Sequence, residues 1–286
     1  LPIKEETGLP YASDNDCMHA CGHDAHTAML LGAAKILSDH KELIKGNVKL
    51  FFQPAEETTG GARIMIEEGC MDEPKVDAVL GLHIGRLFKD VGDGQIGICP
   101  GGMMAAVDSF SVKVKGKGGH GAMPHLCIDP VVISSEMIIS IQKIISREIS
   151  PTHPAVITVG MIHGGTDVNI IPELVEFNGT VRTIYPDDRK LIEERIKSIV
   201  NEIASANRTE VELNYGKYYP AVVNDEKFTY DFEKSAIKIV GQENIVKIKE
   251  PVMGAEDMSY YLQKAPGTFF ILGSYNEEGN IYPHHH

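Results

Sequence analysis

Apolar residues fall at helical spacing over four long stretches, residues 24–37, 129–147, 187–206 and 226–240, and over two shorter ones, 62–68 and 257–263. Between them lie runs of β-branched, aromatic and alternating apolar residues at 46–52, 77–82, 107–114, 155–163, 174–183, 210–215, 245–248 and 268–272, which the pattern predicts as strands. Turn residues punctuate these runs. Gly46 and Pro54 bound the first strand, and Pro186 and Asp187 open a helix. Residues 1–14, with Gly8, Pro10, Ser13 and Asp14, carry no period and read as loop. Strands interleaved with helices predict an α/β fold.

The order of elements changes in the middle. Residues 107–215 read β-α-β-β-α-β, the ferredoxin-like order, and form a self-contained unit. Before and after it, strands are followed by helices in the manner of a layered α/β sheet. The expected architecture is an α/β/α domain built from residues 1–105 and 218–286, with a ferredoxin-like domain, residues 106–217, inserted into it.

Composition narrows the class without changing that picture. A chain of 286 residues with 43% hydrophobic content can bury a sizeable core. The formal net charge of −13 argues against nucleic acid and against an anionic membrane surface as partners. No apolar run reaches membrane-spanning length, and no basic-then-apolar segment opens the chain. Five cysteines, odd in number and without a spaced framework, fit a reducing cytoplasm. The first residue is Leu rather than Met, so the sequence is expected to be a piece of a longer protein.

Chemistry gathers first at Asn15 to His26, NDCMHACGHDAH, just ahead of a predicted helix. Thiolate, imidazole and carboxylate are the donors that divalent transition metals select. The blander reading has Asp24 serving the helix start and the histidines solvated. Two further segments repeat the arrangement of polar, metal-competent residues at a strand end: Glu56-Glu57 after the strand at 46–52, and His83 after the strand at 77–82. The carboxyl edge of an α/β sheet is where ligands bind, so the three segments are expected to converge. Adjacent residues of an extended segment point apart, which lets one carboxylate of the pair ligate a metal while the other takes a proton from water. The closing His284-His285-His286 reads either as a remnant of an affinity tag or as further donors.

The segments HACGHDAH, PAEE, GLHIG, GKGGHGAMPH, VNIIPE, GTVRT, MGAEDMSYY and YPHHH follow one another through essentially the whole chain. In that order they resemble the amidohydrolases related to aminoacylase, hippurate hydrolase and the indole-acetyl-amino-acid hydrolases, a co-catalytic metallopeptidase family that includes carboxypeptidase G. The resemblance implies two divalent metal ions, manganese or zinc, with cobalt or nickel also compatible. Cys21 is then a thiolate shared between them, His23, Glu57 and His83 are further ligands, and His285 is favoured as the last one. Glu56 is implied as general base, with His19 and His26 as outer supporting residues.

The resemblance also makes the inserted domain a lid and dimerisation domain, and the protein a homodimer. His120 would reach into the partner subunit's site and steady an oxyanion, while Asn169 and Arg182 would hold the substrate carboxylate. The implied activity is hydrolysis of the amide bond of N-acyl amino acids by a metal-activated water. Dipeptidase or carboxypeptidase action on small peptides, and a non-catalytic metal-binding role, are the alternatives. Members of the family carry a further strand and helix layer before LPIKEETG and a final helix after the histidine run, and neither stands in this sequence.

Overall fold

A computed structural model describes residues 1–274. In chain order its helices and strands are α1 (His23–Asp39), α2 (Gly61–Glu67), β1 (Val79–Ile84), β2 (Ile96–Ile98), β3 (Gly101–Met104), β4 (Ala106–Lys115), β5 (Gly119–His120), α3 (Pro130–Arg147), β6 (Ala155–Gly164), β7 (Ile170–Ile171), β8 (Leu174–Thr183), α4 (Pro186–Ala206), β9 (Glu210–Lys217), β10 (Val222–Asn224), α5 (Glu226–Val240), β11 (Ile245–Lys247), α6 (Met258–Leu262) and β12 (Gly267–Leu272). The fold is mixed α/β. No helix among the described residues is long and apolar enough to cross a membrane.

The chain separates into two compact units. The first holds Leu1–Met103, Val222–Val252 and the described residues from Asp257 onward; the second holds Met104–Ala221 and Met253–Glu256. In the first unit a four-stranded sheet runs β1-β12-β2-β11, with β1 parallel to β12, β11 parallel to β2, and β12 antiparallel to β2. A buried Asn224 fastens the neighbouring backbone. Its side-chain amide donates to the carbonyls of Cys99 and Phe269 and accepts the Phe269 N–H at 2.8 Å. The register of β1 on β12 pairs His83 with Ile271, which sets a buried imidazole at the carboxyl end of β1.

In the second unit β4, α3, β6, β8, α4 and β9 follow one another, and the four strands form an antiparallel sheet in the order β6-β8-β4-β9. Strand alternation is clear in β4, where Ala106, Asp108, Phe110, Val112 and Val114 are all buried and the residues between them are less so. Of these, Phe110, Val112 and Val114 join Ile133, Met137, Ile141 and Ile144 of α3 and Ile192, Ile196 and Val200 of α4 in one apolar cluster. The helical residues recur every three or four positions, so each helix presents a single apolar stripe. Each fully buried aliphatic or aromatic side chain contributes about 1.5–3 kcal/mol relative to exposure.

Asp108 occupies an inward position of β4 that periodicity assigns to an apolar residue. It is neutralised there by Arg189 of α4, whose Nε lies 3.1 and 3.0 Å from its two oxygens, and it accepts the Tyr215 hydroxyl at 3.0 Å. Burial, and then the Asp108 charge, push the Tyr215 hydroxyl well above its ordinary pKa, so it stays a donor.

One expected strand is absent. Residues 46–52 form no ladder, and Val48 and Phe52 are substantially exposed. A strand exists only through a neighbour that takes its N–H and C=O groups, and among the described residues none pairs with this run. Conversely β2, β3 and β10, each of three or four residues, were too short to show a period.

Removing one partner of a buried pair strands the other charge, so Asp108→Ala should cost roughly 3–5 kcal/mol, whereas Tyr215→Phe, which deletes one hydrogen bond, should cost about 1 kcal/mol. Denaturant unfolding followed through the second unit checks both. Equal small losses would show that Arg189 finds another counter-charge.

Candidate metal centre

Gly22 is where the first donor segment can turn. It adopts a left-handed φ of 71° as the residue before α1, and a Cβ there would lie 2.5 Å from the Ile84 side chain. Glycine thus lets the Cys21-Gly22-His23 backbone approach the end of β1. Cys21 Sγ then stands 3.2 Å from His83 Nε2. His83 Nδ1 lies 2.6 Å from the Ile84 carbonyl oxygen, which can only accept, so Nδ1 carries a proton and, in the neutral ring, the lone pair on Nε2 faces the thiol.

His26, one turn along α1 from Gly22, fixes the other side of the same residue. Its Nε2 accepts the Ile84 N–H at 3.0 Å, and its ring stands edge-on to His83 with centroids 4.7 Å apart. Burial, with the His23 ring adding to it and Asp24 opposing, lowers the His26 pKa to about 4. At neutral pH this residue is an uncharged acceptor that holds backbone in place. Asp24 lies in the first turn of α1, where its charge suits the helix dipole, and the residue before the helix, Gly22, has no side chain to cap it.

Glu56 and Glu57 sit on the loop between residue 53 and α2. Ala55 at φ 61° and Gly60 at φ 73° bend the loop, and the Ala55 carbonyl accepts the N–H of Gly60 at 3.2 Å. His23 Nε2 is 3.9 Å from Glu56 and 3.7 Å from Glu57. Burial, then the charge of Glu57, then that of Asp257, raise the Glu56 carboxyl to a pKa of about 8.

The three segments therefore converge as expected. Among the described residues two donor groups stand out, Cys21 with His23 and His83, and His23 with Glu56 and Glu57, the ligand atoms within each lying within 4.8 Å of one another. His23 belongs to both. In the second unit His120 is exposed on β5, its Nδ1 accepting the Ala122 N–H at 3.1 Å, and the adjoining Gly121 N–H donates to the Asn169 carbonyl at 2.8 Å. Arg182, on β8, occupies the face of its sheet opposite the buried Val181 and Thr183. His285 lies outside the described residues.

Residues 1–286 match the model of peptidase family M20/M25/M40. The chain belongs to that family. It is 42% identical over 275 residues to an N-acetyl-L-cysteine deacetylase of Bacillus subtilis strain 168, covering 96% of this chain and 64% of that protein. It is also 42% identical over 290 residues to thermostable carboxypeptidase 1 of Saccharolobus solfataricus, covering 100% of this chain and 72% of that one. Among solved structures, the YXEP protein of Bacillus subtilis, described as a dinuclear metal binding peptidase from the M20 family, superposes with a TM-score of 0.80 at 34% identity, over 98% of this chain and 71% of that chain. The chain thus spans 64% and 72% of the lengths of the two curated relatives.

For an M20 chain the donor set fits transition-metal binding. A thiol, two imidazoles and two carboxylates converge, with His83 presenting a lone pair whose tautomer is already fixed. Sequence reasoning missed Asp257, which is buried beneath the acidic loop and bonded to Gln53 and Ala62. Its signal was an acidic residue directly before a short helix, which is too common to single out.

The shift of Glu56 makes a pH prediction for the metal-free protein. Between about 4.5 and 8 the folded chain holds a proton that the unfolded chain releases, so this group's contribution to stability is present at low pH and lost as pH rises through about 8. Glu56→Gln abolishes that dependence. The melting temperature of the variant should therefore gain on that of the parent from pH 5 to pH 8; a constant difference would show that Glu56 titrates normally.

Proposed function

We propose that this M20 chain hydrolyses the amide bond of N-acyl amino acids, with Cys21, His23, Glu57 and His83 holding two divalent ions and His285 contributing the remaining ligand. The observation that carries the reading is the pairing at the acidic loop, where one carboxylate can serve a metal while its neighbour, Glu56, stays poised beside His23. The deacetylase relative supports an N-acyl substrate. Bound ions would polarise the substrate carbonyl and acidify a water. Manganese and zinc both suit the donor set.

The chain's own residues do the rest. Glu56 takes a proton from the attacking water and returns it to the departing nitrogen, which leaves as a free amine. Glu56 lies 3.9 Å from His23, on the same loop as Glu57, beside the groups that would hold the ions. His26 and His83 keep the end of β1 fixed while this happens.

The second unit is read as a ferredoxin-like lid and dimerisation domain. His120 would stabilise the oxyanion of the partner's reaction, and Asn169 and Arg182 would take the substrate carboxylate, a task suited to the Arg fork. Burial lowers the Arg182 pKa, but a guanidinium remains charged at any working pH. The edge position of β6 supports pairing with a second copy, since its exposed Met161 and Ile162 lie on a strand with one open side. The five free thiols suit a reducing compartment. The carboxypeptidase relative favours a second reading, removal of a C-terminal residue from small peptides. Comparing acetyl amino acids with dipeptides as substrates separates the two.

Glu56→Gln should lower kcat by roughly 10² to 10⁴-fold while metal binding is retained, as loss of a general base does. Turnover at the parent rate would remove Glu56 from the mechanism. For the lid, mixing inactive His120→Ala and Arg182→Ala proteins should regenerate activity in hybrid dimers if His120 serves the partner's site and Arg182 its own, because one of the two sites then holds both intact side chains while the other carries both substitutions. Mixtures as inactive as their components would show that His120 and Arg182 are not divided between the two sites in this way, and would overturn that assignment.

A further inference from the structure

The segment that carries Glu56 and Glu57 is a short loop without helix or strand, so no ladder or helical bond fixes its shape. Its feet touch. A Cβ on Gly61 would lie 1.8 Å from the Pro54 carbonyl oxygen, so residues 54–61 close on themselves only because position 61 has no side chain. Within the loop the Ala55 carbonyl accepts the N–H groups of Thr58 at 3.4 Å and Gly60 at 3.2 Å, and the bonds that tie its two flanks together come from far along the chain.

Asp257 is 1% exposed and stands directly before α6. Its two carboxylate oxygens accept Gln53 Nε2 at 2.8 and 2.7 Å, and Oδ2 also accepts the Ala62 N–H at 3.0 Å. Gln53 is the residue before one foot and Ala62 the residue after the other. The Ala62 amide is one of the first-turn donors of α2 that ordinarily fall to a local cap. Here the helix is preceded by Gly60, which has no side chain to offer, and the carboxylate arrives from 195 residues away. A local Ser or Asp would cap α2 equally well, but it would not reach Gln53.

We infer that Asp257 is a positioning residue, bridging Gln53 and Ala62 so that the 54–61 loop stays closed and Glu56 and Glu57 stay aimed at the metal centre. The inference rests on the proposed roles of Glu57 as ligand and Glu56 as base. Burying a carboxylate is costly unless several donors surround it, and the donors used here are the two flanks of that one loop.

The test exchanges the roles of the bonded pair. Gln53→Glu sets two carboxylates against each other. Adding Asp257→Asn restores a bond, because the new amide donates to the carboxylate introduced at position 53 while its oxygen still accepts from Ala62. Manganese titration of the metal-stripped protein is one readout, and kcat and KM on an N-acetyl amino acid are the other. Gln53→Glu should weaken manganese binding and lower kcat by roughly 10- to 100-fold, as loss of an outer support does, with KM little changed. The double variant should recover most of both. Gln53→Leu, which cuts the same tether without a buried charge, should show the loss should Gln53→Glu fail to fold.

A merely structural role would lower the melting temperature of these variants while the folded protein bound manganese and turned over as the parent does, and that result overturns the inference. So does a folded double variant that stays as impaired as Gln53→Glu. If the parent hydrolyses no N-acyl amino acid while manganese affinity still follows the pair, the proposed activity falls and the positioning role stands.

Discussion

Crowding carboxylates, imidazoles and a thiol into one place is the constraint around which the first unit is arranged. Each of these groups prefers water, and the carboxylates repel one another; burial first, and then the charges of Glu57 and Asp257, push the Glu56 pKa up to about 8. A positive ion beside His23 and Glu57 would work in the opposite direction. Such a cluster cannot hold itself together without ions, so restraint comes from the backbone around it. The parallel pairing of β1 with β12 places His83, and Ile84 is held at both its backbone polar atoms, its N–H by His26 and its carbonyl by His83. On the acidic side the restraint is the buried carboxylate of Asp257.

Much of this was legible in the sequence because it is local or periodic. The long helices and the strands of the second unit announce themselves by repeats of about 3.6 and 2 residues, and burial follows those repeats in β4, α3 and α4. Cys21 and His23 were visible as chemically unusual residues just ahead of a predicted helix, and Glu56, Glu57 and His83 beside predicted strand ends, and they do converge. What escaped depends on partners distant in the chain. Residues 46–52 have the composition of a strand, but composition cannot supply a neighbour. The strands β2, β3 and β10 have neighbours and too few residues to show a pattern. Asp257 is the plainest case, since its meaning lies in Gln53, 204 positions away, and a hydrogen bond leaves no period.

The second unit shows how packing on one face of a strand fixes what the other face presents. Along β8, Val175, Phe177, Val181 and Thr183 turn toward the helices and are buried, while Arg182 between the last two faces the other way. In register it stands beside Val107 on β4 and Val156 on β6. The inward face tolerates a charge only where it is fully answered, as Asp108 is by Arg189 and Tyr215. Arg182 meets no such demand on the outer face. Because the side-chain period of a strand is two, a slip of one residue would carry Arg182 into the apolar cluster and bring Val181 out of it. The packing of α3 and α4 on the inner face therefore fixes which residues the outer face presents. The alignment of Arg182 and its neighbours is enforced by hydrophobic burial on the opposite side of the same sheet, so weakening that core should be felt on the outer face even though no contact there has changed.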